Sequence, residues 1–118
     1  MEKEATKIIY YKLEGKRVVP CEFDEWNRRV SDAKSWYRKV AYTKLAGYAA
    51  EVSTVFVGLG FCFSSNHLDI FETKIFGGGD LHGEQERCDT WEEAGKIHLK
   101  FVKMVFEKGI LDFERNKA

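Results

Sequence analysis

Three histidines, three cysteines and a group of carboxylates are the side chains in this sequence whose chemistry could go beyond packing. Asp80-Leu81-His82 could offer a metal two ligands, with Glu84 or Glu86 as a third. Glu72, Asp80 and His82 together would suit a metal-dependent hydrolase. Acid-rich turns with one histidine are common, and no metal motif has this spacing, so neither a metal site nor a cofactor is expected. Cys21, Cys62 and Cys88 form no C-x-x-C pair and read as small buried thiols. A nucleophilic Cys or Ser needs a base within hydrogen-bond reach, and no local motif supplies one. His98 falls on an apolar helical stripe, where a core histidine is the expectation. Glu72, flanked by Phe71 and Thr73, reads as the ion-pair partner of a base such as Arg87 rather than as a catalytic acid. No catalytic residue is expected.

Two other groups bear on binding. Gly77-Gly78-Gly79 resembles a phosphate loop only superficially, because a Walker loop needs Gly-Lys-Ser/Thr entering a helix. Asp80, Glu84 and Glu86 follow instead, so a phosphate would need bases from elsewhere in the fold or from a neighbouring chain, and a flexible turn is preferred. Trp26, Arg28, Arg29, Trp36, Tyr37, Arg38 and Lys39 combine guanidinium groups that clamp phosphates with rings that stack on bases. Trp26 shares a helix face with Phe23 and Val30 and belongs with the core. Arg28, Arg29, Trp36, Tyr37, Arg38 and Arg87 are therefore the expected ligand-binding residues, with Trp36 or Tyr37 stacking and the arginines on phosphates.

The elements that must position these residues follow from local pattern. Ile8 to Leu13, a turn at Glu14-Gly15-Lys16, and Arg17 to Pro20 predict a hairpin. Phe23, Trp26 and Val30 recur at i, i+3, i+7 and predict a helix over Glu22–Ser31. Trp36 to Lys44 reads as a strand, Gly47 as a turn, and Val52 to Leu59 as a central strand with both faces largely covered. Ser64-Ser65-Asn66 is a turn, Ile70 to Phe76 a strand, and Gln85 to Cys88 a short edge strand. Thr90 with Glu93 makes a capping box, and Ala94, Ile97, His98, Phe101, Val102 and Val105 line one helix face. That helix should run about 17 residues and end at Gly109. Ile110-Leu111-Asp112-Phe113 should pack somewhere, or on a second subunit, and residues 113–118 should fray. The order predicts an α+β domain: a single antiparallel sheet of about five to six strands, a short helix in the N-terminal third, and a long C-terminal helix packed on the sheet. One helix cannot cover so wide a sheet, which points to a homo-oligomer.

At 118 residues, 44% hydrophobic and 32% charged, the chain suits one globular domain, residues 1–118. Met1-Glu2-Lys3-Glu4 lacks the apolar core of a signal peptide, so a cytoplasmic place is expected. Net charge is zero but uneven: six bases face one acid between Asn27 and Ala50, and eight acids face two bases between Asp69 and Glu93. Zero net charge argues against general nucleic-acid binding and suits a small anionic ligand or an acidic protein surface. Folding could equally interleave these charges into one mixed surface.

From Trp26 onward the chain resembles a family of small bacteriophage and prophage proteins. Its core reads as an EW, then VSTVFLGLDH, a Pro-Pro turn, LFETMVFGG, and ERY-x-TWEEA ending at a His. The matching residues are Glu25-Trp26, Val52 to Leu59, Phe71 to Gly78, Glu86-Arg87, Thr90 to Ala94 and His98. Gly60-Phe61 stands where the family has Asp-His, Asn66 to Asp69 lacks the prolines, and Cys88 replaces a Tyr. The resemblance implies a phage origin, and any chemistry of that Asp-His would be lost here. Phage proteins of this size without catalytic motifs are often accessory factors acting on the host. The expectation is a non-enzymatic protein, in the bacterial host cytoplasm, that counters host defence by sequestering a nucleotide-derived signal. The alternative is an inhibitor that binds a host defence complex or nuclease through an acidic face.

Overall fold

The computed structural model describes residues 7–31, 38–62 and 69–116, with backbone alone at 7, 61, 62 and 110–116. Seven strands and two helices occur in the order β1 (Lys7–Glu14), β2 (Arg17–Cys21), α1 (Phe23–Val30), β3 (Lys39–Leu45), β4 (Ala50–Phe56), β5 (Leu59–Cys62), β6 (Phe71–Gly77), β7 (Gln85–Cys88) and α2 (Trp91–Asn116). The α+β class and the long helix packed on strands are as the sequence predicts. The strands, however, divide between two antiparallel sheets, β2-β1-β5 and β3-β4-β6-β7, rather than forming a single one.

The division originates at Val57–Gly58, inside what the sequence reads as one strand. Gly58 takes a φ of 69°, and a Cβ there would lie 2.7 Å from the Phe56 ring and 2.9 Å from the Tyr11 carbonyl oxygen. The N–H groups of Val57 and Gly58 both donate to the Ile70 carbonyl, at 2.7 and 3.2 Å. The Gly58 carbonyl accepts from Tyr11 N–H at 2.8 Å, and Trp26 Nε1–H caps the Val57 carbonyl at 3.1 Å. Every polar backbone group that the corner turns out of the sheet is thereby paired, so the chain can leave one sheet for the other without a buried orphan. Alternation continues across the corner, which is why pattern alone runs the strand through it.

Both sheets contribute to one apolar cluster. Tyr11 and Leu13 of β1 meet Phe56, Phe71, Cys88 and Ala94. A second cluster, Ala50, Val52, Ile75, Phe101 and Val105, lies under the middle of α2. β4 buries Val52, Thr54 and Phe56, while Ser53 and Val55 on its opposite face remain partly exposed. On the far face of the smaller sheet, Phe23 and Trp26 of α1 lie against Tyr10, with ring centroids 5.2 Å apart in each case. No residue of α1 is fully buried, so this helix is a cover rather than a core element.

Thr90 starts α2 as expected: its Oγ1 accepts the Glu93 N–H at 3.1 Å. The helix then continues for 26 residues instead of ending at Gly109. A glycine inside a helix costs about 1 kcal/mol relative to alanine. Here the Tyr48 ring occupies the space a Cβ at Gly109 would need. Gly109 therefore lets a turn pack onto the helix and does not terminate it. The strand expected from Trp36 begins at Lys39, with Trp36 and Tyr37 outside the described residues, as are His67 and the Ser64–Asn66 turn. No helix among the described residues is long and apolar enough to cross a membrane.

The corner makes a direct prediction. Gly58→Ala combines a left-handed φ with a collision and should cost about 3 kcal/mol. Gly79→Ala, at a φ of 61° in open space, should cost about 1 kcal/mol. Urea denaturation of the two variants would show that ordering, and equal losses would remove the corner's special role.

Candidate ligand-binding site

The structure spreads the predicted arginines over several elements. Arg28 is exposed on α1. Arg29 is drawn to Glu25, with its Nη2 3.1 Å from Oε2, and Lys12 reaches the same carboxylate at 3.1 Å. Hydrogen bonding within that pair raises the Lys12 pKa and lowers that of Glu25. Arg38 donates from Nε to the Phe56 carbonyl at 3.4 Å. Arg87 pairs with Glu72 at 3.2 Å, the ion pair the sequence suggests. Arg38 leads into β3 and Arg87 lies on β7, opposite edges of one sheet, so three strand spacings, roughly 14 Å, separate them. They do not form one phosphate clamp.

The acidic stretch is likewise interleaved with bases. Glu72 meets Arg87, Glu86 meets Lys100 at 2.6 Å, and Asp80 lies 3.8 Å from Lys108. His82 Nδ1 accepts the Gly77 N–H at 2.9 Å. Among the described residues no group of three His, Cys, Asp or Glu side chains could hold a metal. Burial raises the thiol pKa of Cys21, and that of Cys88 to about 11, so both stay protonated and poorly nucleophilic near neutrality.

One hydroxyl–imidazole arrangement does have the distances of a catalytic dyad. Thr54 Oγ1 lies 2.8 Å from His98 Nδ1 and 2.6 Å from Thr73 Oγ1, and Thr43 Oγ1 lies 2.9 Å from His98 Nε2. His98 is 4% exposed, Thr54 0% and Thr73 1%. Thr54, Thr73 and His98 are closed off from solvent, and with the partly buried Thr43 they form a structural pin joining β3, β4 and β6 to α2. Burial lowers the His98 pKa. Thr54, Thr73 and His98 therefore work inside the fold.

The accessible candidate lies one end of the sheet away. A cleft of about 760 Å³ opens where the β3–β4 and β6–β7 turns meet α2. Tyr48, Leu81 and Val105 supply ring and apolar walls, Gly78 and Gly79 a floor without Cβ atoms, and Lys108 a cation. Gly77, Gly78 and Gly79 have φ of 75°, 76° and 61°, and Ala49 across from them has 53°. The Gly78 N–H donates to the Ala49 carbonyl at 3.1 Å, fastening the two turns together. A Cβ at Gly77 would collide with that same carbonyl. The triple glycine is thus a fitted turn rather than a slack one. The base it lacks in sequence comes from Lys108, which α2 brings alongside. A second cleft, of about 660 Å³, has Lys16 5.9 Å above the Trp91 ring but mixes Glu14, Arg17, Asp89 and Glu92. Such mixed charge favours no one ligand sign. Comparison with protein-family models, curated proteins and solved structures found no match for this chain.

The pin sets a pH dependence. The unfolded imidazole titrates near 6.5, and the buried one only at lower pH. Between those two values the unfolded chain binds more protons, so stability falls as pH drops below about 6.5, by up to about 1.4 kcal/mol per pH unit. It levels off once pH passes the folded value. Denaturation midpoints across this window should lose that slope in His98→Gln, and a slope that survives would place its origin elsewhere.

Proposed function

We propose that this chain is a binding protein, not an enzyme, and that it captures a small anionic, ring-bearing molecule of nucleotide type in the cleft of Tyr48, Gly78, Gly79 and Lys108. The cleft itself carries the reading. Its volume lies in the range of roughly 300–1,000 Å³ typical of small-molecule sites. An aromatic wall suits a base, a floor without side chains lets a phosphate approach the backbone, and one lysine supplies the charge. Asp80 then acts as a weak internal competitor for Lys108 that an incoming phosphate displaces. The buried Thr54–His98 pair and the protonated Cys21 and Cys88 thiols favour capture over turnover.

The resemblance to phage proteins gives such capture a purpose: removal of a nucleotide-derived signal of host defence from the bacterial cytoplasm. The pairing of Glu72, Glu86 and Asp80 with bases weighs against an acidic face that mimics nucleic acid. Arg28 and Arg38, exposed away from the cleft, contribute long-range attraction for an anion.

Isothermal titration against a panel of cyclic dinucleotides, mononucleotides and ADP-ribose-type compounds tests this. At least one should bind, and Lys108→Ala should weaken it about 10- to 100-fold, the worth of a charged hydrogen bond. Arg28→Ala should change affinity less than Lys108→Ala does. Heat from none of the panel, or binding indifferent to Lys108→Ala, contradicts the assignment.

A further inference from the structure

Among the described residues, no element covers the outer face of the four-stranded sheet. Helix α2 packs on the side that buries Val52, Thr54, Thr73 and Ile75, and α1 lies on the smaller sheet. Alternation along the strands turns their remaining side chains to the other side. In register, Tyr42, Ser53 and Lys74 form one row across that face, and Lys44, Glu51 and Phe76 form the next. A ring and a lysine thus stand at the two ends of each row, in opposite order. Tyr42 is 52% exposed and Phe76 43%. Both rings are held in place at the surface. The Tyr42 hydroxyl donates to Glu51 Oε1 at 2.7 Å, and Phe76 meets the His82 ring in a T-shaped contact and the Lys74 ammonium at 5.5 Å.

The charge left over on this face is positive. Its two acids are already answered, Glu51 by Tyr42 and Glu72 by Arg87. Lys44 and Lys74 have no carboxylate partner among the described residues. Two strand spacings and one two-residue step separate the rings by roughly 12 Å, too far for them to stack on each other. We infer that this face binds a short run of single-stranded nucleic acid, with bases stacked on Tyr42 and Phe76 and phosphates beside Lys44 and Lys74. Unpaired bases offer their planes to exposed rings on an open sheet, whereas paired bases offer none. An acidic peptide would satisfy the lysines but leave the rings without flat partners. An identical face from a second copy would bring its own unanswered lysines. None of these four residues lines the Tyr48–Lys108 cleft, so the inference does not rest on the ligand proposed there. The chain's zero net charge disfavours long-range attraction, so a few local phosphate contacts must suffice.

Fluorescence anisotropy of a labelled oligouridylate of about ten nucleotides, titrated with the full chain at low salt, tests this. Binding should saturate and weaken with salt at a log–log slope of about −1.4, the value for two phosphates on a single strand. A duplex of equal length should bind less tightly. Tyr42→Ala and Phe76→Leu should each weaken binding about 5- to 100-fold, whereas Phe76→Tyr should preserve it. Circular dichroism of these variants should match that of the unaltered chain, because the side chains are half-exposed. Lys74→Ala should reduce the salt slope by about half. An unchanged anisotropy overturns the inference. So does binding that is indifferent to both Tyr42→Ala and Phe76→Leu, or that polyglutamate of equal charge displaces as well as unlabelled oligouridylate does.

Discussion

His98 determines where α2 lies. Its two ring nitrogens meet Thr43 and Thr54, and Thr54 passes the chain of hydrogen bonds to Thr73, so three adjacent strands hold one helical residue. No buried side-chain polar atom among the described residues lacks a partner. Moving α2 by a turn would leave several of these groups buried and unmet, at about 1–3 kcal/mol each. Apolar packing of Ala94, Phe101 and Val105 tolerates small slides, whereas a satisfied polar network does not. The helix therefore has one register, and everything beyond His98 inherits it. Gly109 falls under the Tyr48 ring, and Lys108 at the cleft wall, only because of that register.

Gly58 imposes the complementary constraint on the strands. By turning the chain out of β4, it frees β5 to pair with β1 and brings the smaller sheet against the first turns of α2. The result is one core with two sheets, pinned at the centre by polar contacts and closed at one end by two turns, one of them built on three glycines of positive φ. The reactive-looking residues are consumed in building this. Three threonines and His98 become internal ties, Glu72, Glu86 and Asp80 are matched with bases, and the Cys21 and Cys88 thiols are held protonated. What stays accessible is a space shaped for holding something. The functional proposal draws its force from that distribution rather than from any single residue.

Much of this was legible in the sequence wherever the signal is local. The β1–β2 hairpin, β6, β7, the Thr90 cap and the buried side of α2 all follow from spacing within a dozen residues. Three features were not, and each depends on a contact between distant segments. The strand through Val52–Leu59 breaks because Tyr11, Ile70 and Trp26 satisfy the Gly58 corner. The helix outlasts Gly109 because Tyr48, some 60 residues earlier, fills the missing side chain's place. The glycine turn looks unsuited to an anion until Lys108 arrives from the far end of the chain. Of the candidate site residues, Arg38 is engaged by a distant carbonyl that spacing could not reveal, Arg29 is drawn to Glu25 one helical turn away, and Glu72 with Arg87 is the pair that the sequence suggests. Gly109, read as a helix end, was the available hint to the cleft.

The central claim is capture in the Tyr48–Lys108 cleft without chemical change. The most direct measurement is a ¹⁵N–¹H correlation spectrum recorded before and after addition of the bound nucleotide, with the nucleotide then released and identified by mass. The account predicts perturbed amides at Gly47, Gly78, Gly79 and Gly109 and a ligand recovered intact. Perturbations centred on Arg28 and Arg38, or a ligand returned as a different compound, would contradict it.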